Sequence, residues 1–557
     1  MINPNFTEYK NLHIKILLSL LVFICFFSSL NTIPPLDRDE SRYIQATVQM
    51  MESKDFINIK FLDAPRLKKP PGIYWMQALS ATIVKNILFL EKAPLWSFRL
   101  PSAIAASISV WLTFLLGKLL FGRTQGFIAA LLLLSSPLVF IESHIAKTDS
   151  VLMACVLFII YIFAKIIFDS KFKDNYYSKY LILFAWLVMG FAFLIKGPLI
   201  ILFIFFMTIF FRIFSGVNFF KDCRIITGLI IFLLISLPWF IIINLGANSE
   251  IFVNSVKKDM LLKLVSVQES HGAPPGTYFI SSIVSAWPIF LFIIPTIIWS
   301  YKNKHNKAII FLLSSILPAW VSFELIPTKL LHYILPLLPS LAILTSAMLI
   351  FNFKSSSILL SLDKLYLKLI SILPALGGIV ISIGVLYLAK LFGEGFTISV
   401  LIIALVYFLG SIFSGYYLFV RNYINALLLV IFTNLIALNI IFIYLPHQLS
   451  KIWVTEKIYE KIQEKNIDTS FALLGYSEPS LIYRLGSNTK ILTSNEEAIT
   501  FFLKHSFKYL IIEDSYLEEF KIMAEQNLLS IKLLDKKITG FNYSNGKFIN
   551  ISIIHII

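Results

Sequence analysis

The stretch PPLDRDESRYIQATVQMMESKDFINIKFLDAPRLKKPPGIY, Pro34 to Tyr74, decides how this chain is read. It is polar and densely charged: Asp37, Arg38, Asp39, Glu40, Arg42, Lys68 and Lys69 all lie in it. The apolar segment Ile14–Leu30 runs directly before it, and a long series of similar segments follows. A charged loop in that position is either an ordinary solvated loop or the site that the spans present. Inside it, Asp39 opens a helical pattern. Glu40 to Glu52 contains no Gly or Pro, and Tyr43, Ala46, Thr47 and Met50 fall at i, i+3, i+4 and i+7, one face of a helix. A second helix is expected from near Pro71, with Ile73, Tyr74, Trp75, Met76 and Leu79 as an interfacial stripe.

Working outward, the composition is that of a membrane. Of 557 residues, 57% are hydrophobic and only 14% charged, against about 25% charged in soluble domains; the mean hydropathy is +0.80. A span needs roughly 20 mostly apolar residues. About thirteen segments meet that description: 14–30, 97–117, 124–142, 151–168, 180–195, 198–214, 225–243, 279–299, 308–323, 331–351, 366–389, 396–417 and 425–446. The first lacks a small-x-small cleavage site and reads as a retained anchor. Cys25, Cys155 and Cys223 lie in or beside apolar spans, without metal-type spacing, so no disulfide is expected.

The net charge of +16 does not point to nucleic acid, because no basic run or aromatic platform accompanies it. With the N-terminus inside, Lys118, Arg123, Lys171, Lys173, Lys179, Arg212, Lys221, Arg224, Lys302, Lys304, Lys307, Lys354, Lys364, Lys368 and Arg421 fall in cytoplasmic loops, as the positive-inside rule requires. The outer face then receives 31–96, 143–150, the Lys196-Gly197-Pro198 turn, 244–278, 324–330 and all that follows 447. Counting 73–90 as a span would invert every later loop, so it is rejected. From Lys451 onward the pattern changes to an amphipathic helix bearing Lys457, Glu460, Lys461, Glu464 and Lys465. Strand-like runs at 471–475, 490–493 and 508–513 then alternate with helical ones at 478–485, 494–504 and 515–526. The end, 529–557, reads as strands with a turn at Asn545-Gly546. The expected organisation is a membrane domain, 1–450, whose first outer loop is 31–96, and a small outer α/β domain, 451–557.

Polar groups gather at the outer ends of spans: Asp39, Glu40, Arg42, Tyr43, Lys68, Lys69, Lys147, Asp149, Lys196, Lys257, Lys258, Asp259, Glu269, His271, Glu324, Lys329, His332 and Tyr333. Ionisable groups at membrane depth are functional candidates, although long cations snorkel cheaply. Clustered Lys and Arg neutralise a phosphate, and an Asp can take the proton of a hydroxyl nucleophile.

Six motifs occur in order: Asp39-Glu40-Ser41-Arg42-Tyr43, Lys69-Pro70-Pro71-Gly72-Ile73-Tyr74-Trp75, Arg99-Leu100-Pro101-Ser102, Lys147-Thr148-Asp149, Lys196-Gly197-Pro198 and Lys329-Leu330-Leu331-His332-Tyr333-Ile334-Leu335-Pro336. Together, over residues 10–450, they resemble the bacterial GT-C glycosyltransferases of the aminoarabinose-transferase and protein-mannosyltransferase (ArnT/PMT-like) superfamily. The resemblance implies a GT-C fold and inverting transfer of a sugar from a polyprenyl (undecaprenyl) phosphate donor. The acceptor would be lipid A, another envelope glycan or a protein, at the periplasmic face of a bacterial inner membrane.

The resemblance makes Asp39 the base or acceptor-orienting carboxylate and Asp149 a second essential acid, with Glu40 as a further candidate. Arg42, Lys69 and Lys196 would hold the lipid phosphate, with Tyr43 and Tyr333 lining the pocket; Lys329 and His332 are further candidates. The chain departs from the pattern at Lys68, which stands where the aminoarabinose-transferase branch has a metal-holding Glu. A divalent metal, the one cofactor that the family implies, therefore loses an acidic ligand, and the Lys68 ammonium would supply charge in its place. His271 lies in the loop where that family supplies a histidine. Two other classes compete: a polyprenyl-lipid flippase and a non-catalytic scaffold. Transporters place charge and broken helices near the midplane and often carry repeats; here the polar groups lie at one face and no repeat is visible.

Overall fold

The computed structural model describes residues 4–67, 69–246, 249–256, 272–355, 364–467, 469–534 and 537–557. Among the described residues, nine helices are long and apolar enough to cross a membrane, including Leu95–Phe121, Asp149–Phe168, Ser178–Lys196 and Ile225–Leu245. Two further apolar segments are helix pairs bent at a break, and Leu12–Phe27 and Leu199–Ser215 are shorter apolar helices. Each of the thirteen expected segments thus falls on an apolar helix or a bent pair, and the fold is that of a polytopic α-helical membrane protein.

The segments 124–142 and 279–299 are each broken by a bend. Arg123–Leu134 and Pro137–Ser143 meet at 65°, and Thr277–Ser285 and Ile289–Lys302 at 118°. A proline lies at each break, Pro137 and Pro288. Proline lacks the N–H that would continue the helical ladder, and it disfavours helical geometry in the residue before it.

The chain divides into two compact units. The helical unit comprises Met1–Leu30, Leu67–Ser382 and Ile403–Ile440; the mixed unit comprises Asn31–Arg66, Ile383–Ile402 and Ile441–Ile557. The first long loop is therefore shared between them, changing unit at Arg66–Leu67.

The chain opens with α1 (Pro4–Phe27), α2 (Asp39–Ser53), the two-stranded ribbon β1 (Lys60–Phe61) and β2 (Ala64–Pro65), α3 (Gly72–Ile87) and α4 (Leu95–Phe121). It continues through α5 (Arg123–Leu134), α6 (Pro137–Ser143), α7 (Asp149–Phe168), α8 (Ser170–Asp174) and α9 (Ser178–Lys196). In the helical unit α4 packs on α3, α5 and α7, and α7 packs on α9. Close approach between later helices rests on small residues. A Cβ added at Gly410 would fall 2.1 Å from the Thr433 hydroxyl, and one at Gly378 2.3 Å from Ser411. The α3 stripe is divided: Ile73 and Tyr74 are fully buried, while Leu79, Ile83 and Ile87 are exposed. The helix packs on α4 and α9.

In the mixed unit, strands β3 (Phe471–Leu474), β4 (Lys490–Leu492), β5 (Tyr509–Glu513), β6 (Ile531–Leu533), β7 (Ile538–Asn542) and β8 (Lys547–Ile556) form one sheet. Its order is β4-β3-β5-β8-β6, with β7 also on β8. β3 pairs parallel with β4 and β5, and Leu473 stands opposite Ile491 and Ile511. β5, β6 and β7 all pair antiparallel with β8. Side chains alternate faces along a strand. Phe471 and Leu473 enter one core with Ile458, Ile462 and Ile482 of two helices, whereas Ala472 and Leu474 enter another with Ala498, Phe502, Leu517 and Phe520. Both faces of the sheet are covered, which is why β3 is buried along its whole length. The turn between β7 and β8 carries Gly546 at φ +75, a left-handed conformation that glycine adopts without Cβ strain.

Candidate functional site

In the helical unit the ordered motifs converge on the segment that enters α7. Gln77 of α3 donates to the carbonyl of Ala146 at 3.1 Å, and Ser102 of α4 to that of Lys147 at 3.3 Å. Ser150 of α7 donates to the carbonyl of Glu142 at 2.9 Å. The Lys69–Gly72 turn lies against the end of α9, because a Cβ at Gly72 would fall 2.8 Å from the Leu194 carbonyl oxygen. Only glycine fits so close to a neighbouring backbone. That end of α9 carries Lys196.

Here the Lys196 ammonium forms an ion pair with Asp149, which is 97% buried at its side chain. His332 Nε2 lies 3.8 Å from the same Asp149 oxygen, and Lys196 Nζ sits 5.3 Å from the centre of the Tyr333 ring. One turn of chain away, Lys147 pairs with Glu142 at 3.3 Å. Two carboxylates, two ammonium groups, an imidazole and a phenol are thus brought together in a largely buried place. Burying charge is tolerated where opposite charges meet. The second Glu142 oxygen, Oε2, is buried with no hydrogen-bond partner among the described residues.

In the sequence Glu142 is the last residue of an apolar segment and does not stand out as a site residue. An acid closing an apolar run is the signal that could have found it. Arg99, quoted in a motif without a role, is fully buried and donates to the carbonyl of Leu30 at 2.8 Å, tying α4 to the chain leaving α1.

Lys329 stands apart from the cluster by its bonding. Its three N–H groups are taken by the carbonyls of Phe323, Glu324 and Ile326, at 3.2, 2.8 and 2.9 Å. It caps the C-terminal end of the helix Lys307–Leu325, as a cation at the negative end of a helix dipole does. Glu324 accepts from Gly276 N at 2.8 Å and Phe279 N at 3.2 Å, fixing the start of Thr277–Ser285. Lys68, Lys257, Lys258, Asp259, Glu269 and His271 lie outside the described residues.

The mixed unit carries the remaining candidates on α2. The periodic face is inside: Tyr43, Ala46, Thr47 and Met50 are all buried. Glu40 is buried too, and its carboxylate accepts from Leu36 N at 3.0 Å, satisfying the turn before its own helix. Asp39 and Arg42, one turn apart, are exposed. Neither side chain has a hydrogen-bond or ion-pair partner among the described residues.

Glu142, Asp149 and His332 offer three ligand atoms within 4.8 Å of one another, a spacing that a metal ion could use. Each carboxylate engages an ammonium group through one oxygen, and Glu142 Oε2 is left as an open ligand atom beside them.

The Dolichyl-phosphate-mannose-protein mannosyltransferase family matches residues 68–242, the part that holds Lys69, Asp149 and Lys196. An undecaprenyl phosphate-alpha-4-amino-4-deoxy-L-arabinose arabinosyl transferase of Pseudomonas savastanoi is 35% identical over 98 residues, 17% of each chain. One from Proteus mirabilis is 25% identical over 349 residues, 59% of this chain and 58% of that protein. The chain therefore spans less than two thirds of the length of either transferase. Among solved structures, ArnT from Cupriavidus metallidurans bound to undecaprenyl phosphate superposes with a TM-score of 0.73 at 14% identity, over 97% of both chains. That likeness shows the fold. Matches in sequence and fold agree with the six ordered motifs: residues 68–242 are similar to the mannosyltransferase family, and the fold is the GT-C fold of ArnT.

Proposed function

We propose that this protein is a membrane glycosyltransferase that moves a sugar from a polyprenyl phosphate donor to an acceptor at the periplasmic face of a bacterial inner membrane. The observation that carries the reading is the buried ion-pair cluster built on Lys196 and Asp149. An ammonium has three donors. One on Asp149 leaves two for phosphate oxygens, so Lys196 can take a lipid phosphate while its carboxylate partner keeps it in place.

In the reaction the acceptor hydroxyl oxygen attacks the anomeric carbon from the face opposite the phosphate. The bond from carbon to phosphate oxygen breaks, polyprenyl phosphate leaves, and the hydroxyl proton passes to a carboxylate. Charge grows on the leaving phosphate in the transition state, where fixed cations stabilise it most. Lys196 and Lys69 hold that phosphate and Tyr333 borders it. Asp39 is the proton-accepting carboxylate; exposed on α2 and without a partner among the described residues, it is available to an acceptor. Glu40 serves its own helix turn. The acceptor is lipid A or another envelope glycan, with a protein hydroxyl as the alternative.

Mass spectrometry of lipid A and of envelope glycoproteins, from cells carrying the native protein or Asp39→Asn, tests the reading. A discrete mass lost in the variant identifies sugar and acceptor together. Unchanged masses there and in the remaining envelope glycans, with both proteins present in the membrane, would overturn it in favour of a flippase or a scaffold.

A further inference from the structure

The residue that joins the first loop to α2 is Arg38, and its backbone is strained: φ is +65 and ψ is −108 in a residue with a Cβ. Non-glycine residues hold such conformations only where surrounding contacts over-determine them. Those contacts come from far along the chain. Asp37 N donates to the Tyr543 hydroxyl at 2.7 Å, and Asp37 Oδ1 accepts from Ser480 N at 3.2 Å. The Arg38 guanidinium donates to the carbonyl of Ser544. Further along the helix, Gln45 donates to Ser487 Oγ at 3.1 Å, and Ser487 in turn donates to Glu52 at 2.6 Å. Past α2, Lys490 pairs with Asp63 at 3.0 Å. The helix Pro479–Leu485 packs along α2 itself.

We propose that the C-terminal α/β domain is a positioning device for α2. Asp37, Tyr543 and Ser480 form the strut that holds the strained entry into the helix, so that Asp39 and Arg42 are presented in one fixed orientation. Its importance for catalysis rests on the transferase reading above; the clamp itself does not. Asp37 is a positioning residue, acting through Asp39 rather than on substrate. Groups that surround its carboxyl are Ser480, Tyr543, Glu478 and Tyr476. An asparagine keeps the acceptor oxygen that Ser480 N requires, whereas alanine removes it.

Hydrogen exchange of the full-length protein in lipid nanodiscs, read by mass spectrometry, tests this in native, Asp37→Asn, Asp37→Ala and Tyr543→Phe forms. Peptides covering 39–50 should exchange about tenfold or more faster in Asp37→Ala and Tyr543→Phe, while peptides covering 509–513 in the sheet stay protected. Asp37→Asn should remain close to native. In parallel, kcat for donor turnover should fall about tenfold in the two loosened variants, with KM for undecaprenyl phosphate-linked sugar within about twofold. Unchanged protection of 39–50 in Asp37→Ala would overturn the clamp. So would equal loss across 509–513, which would mean general unfolding. A loosened α2 with undiminished kcat would overturn the positioning role. If the native protein turns over no donor, the transferase reading fails, and the exchange result still decides the clamp.

Discussion

On α2, Asp39 and Arg42 stand exposed with no ion-pair or hydrogen-bond partner among the described residues, whereas in the helical unit Asp149 and Lys196 are buried against one another. The two regions use charge in opposite ways. A solvated carboxylate needs no partner and can accept a proton from an incoming group. A buried carboxylate needs a cation to exist as an ion at all, and that cation is then held in a fixed place. Under the proposed function, the difference separates acid–base chemistry, which wants an available group, from phosphate binding, which wants a preorganised one.

The largest effect is expected from removing one member of the buried pair. Lys196→Ala leaves Asp149 without its ammonium, at a cost of about 3 kcal/mol or more. A clear drop in the thermal unfolding midpoint should follow. Combining Lys196→Met with Asp149→Asn replaces the ions by neutral groups of similar size, and should recover most of that stability but none of the donor turnover. If Lys196→Ala unfolds like the native protein, the pair is not structural in the sense argued here.

A smaller effect is expected at Glu40. Its carboxylate bonds to Leu36 N, and Glu40→Gln keeps an acceptor there while removing the charge. A loss of about 1 kcal/mol and donor turnover within about threefold of native are expected. Turnover lowered as far as by Asp39→Asn would give Glu40 a direct part in the chemistry and erase the distinction between the two neighbours.

The smallest effect concerns pH. Burial, with Glu478 adding repulsion, pushes the Asp37 carboxyl up from 3.8 to about 6 against the hydrogen bonds from Ser480 and Tyr543. The folded form therefore holds this proton more tightly than the unfolded form. Its stabilising contribution is complete below the unfolded value and is lost as pH rises through about 6. Thermal unfolding followed across that window should show a downward slope in the native protein that Asp37→Asn flattens. An identical slope in both would remove Asp37 as its source.

Much of this was legible in the sequence because it depends on short-range pattern. The i, i+3, i+4, i+7 spacing of Tyr43, Ala46, Thr47 and Met50 placed α2 and its buried face. Alternating apolar runs placed β3, β4 and β5 with the helices between them, and Asn545-Gly546 marked the last turn. What could not be read depends on contacts between distant residues. Nothing local to Asp37 announces Tyr543 or Ser480, and nothing local to Lys329 shows that three carbonyls consume its donors. Glu142 was hidden for a different reason: hydropathy averages over a window, and one acid at the end of an apolar run scarcely lowers the mean. The bends at Pro137 and Pro288 escaped in the same way. The Lys69, Asp149 and Lys196 motifs were visible as a set, but the ion pair that gives two of them a shared role is a fact of three dimensions.

Equilibrium binding of undecaprenyl phosphate to the full-length protein in detergent, native against Lys196→Ala, tests most directly whether the buried cluster is the phosphate seat. The account predicts affinity weakened about tenfold or more in the variant, the worth of a charge-assisted contact, with Asp39→Asn binding as the native protein does. Equal affinity in native protein and Lys196→Ala would contradict it.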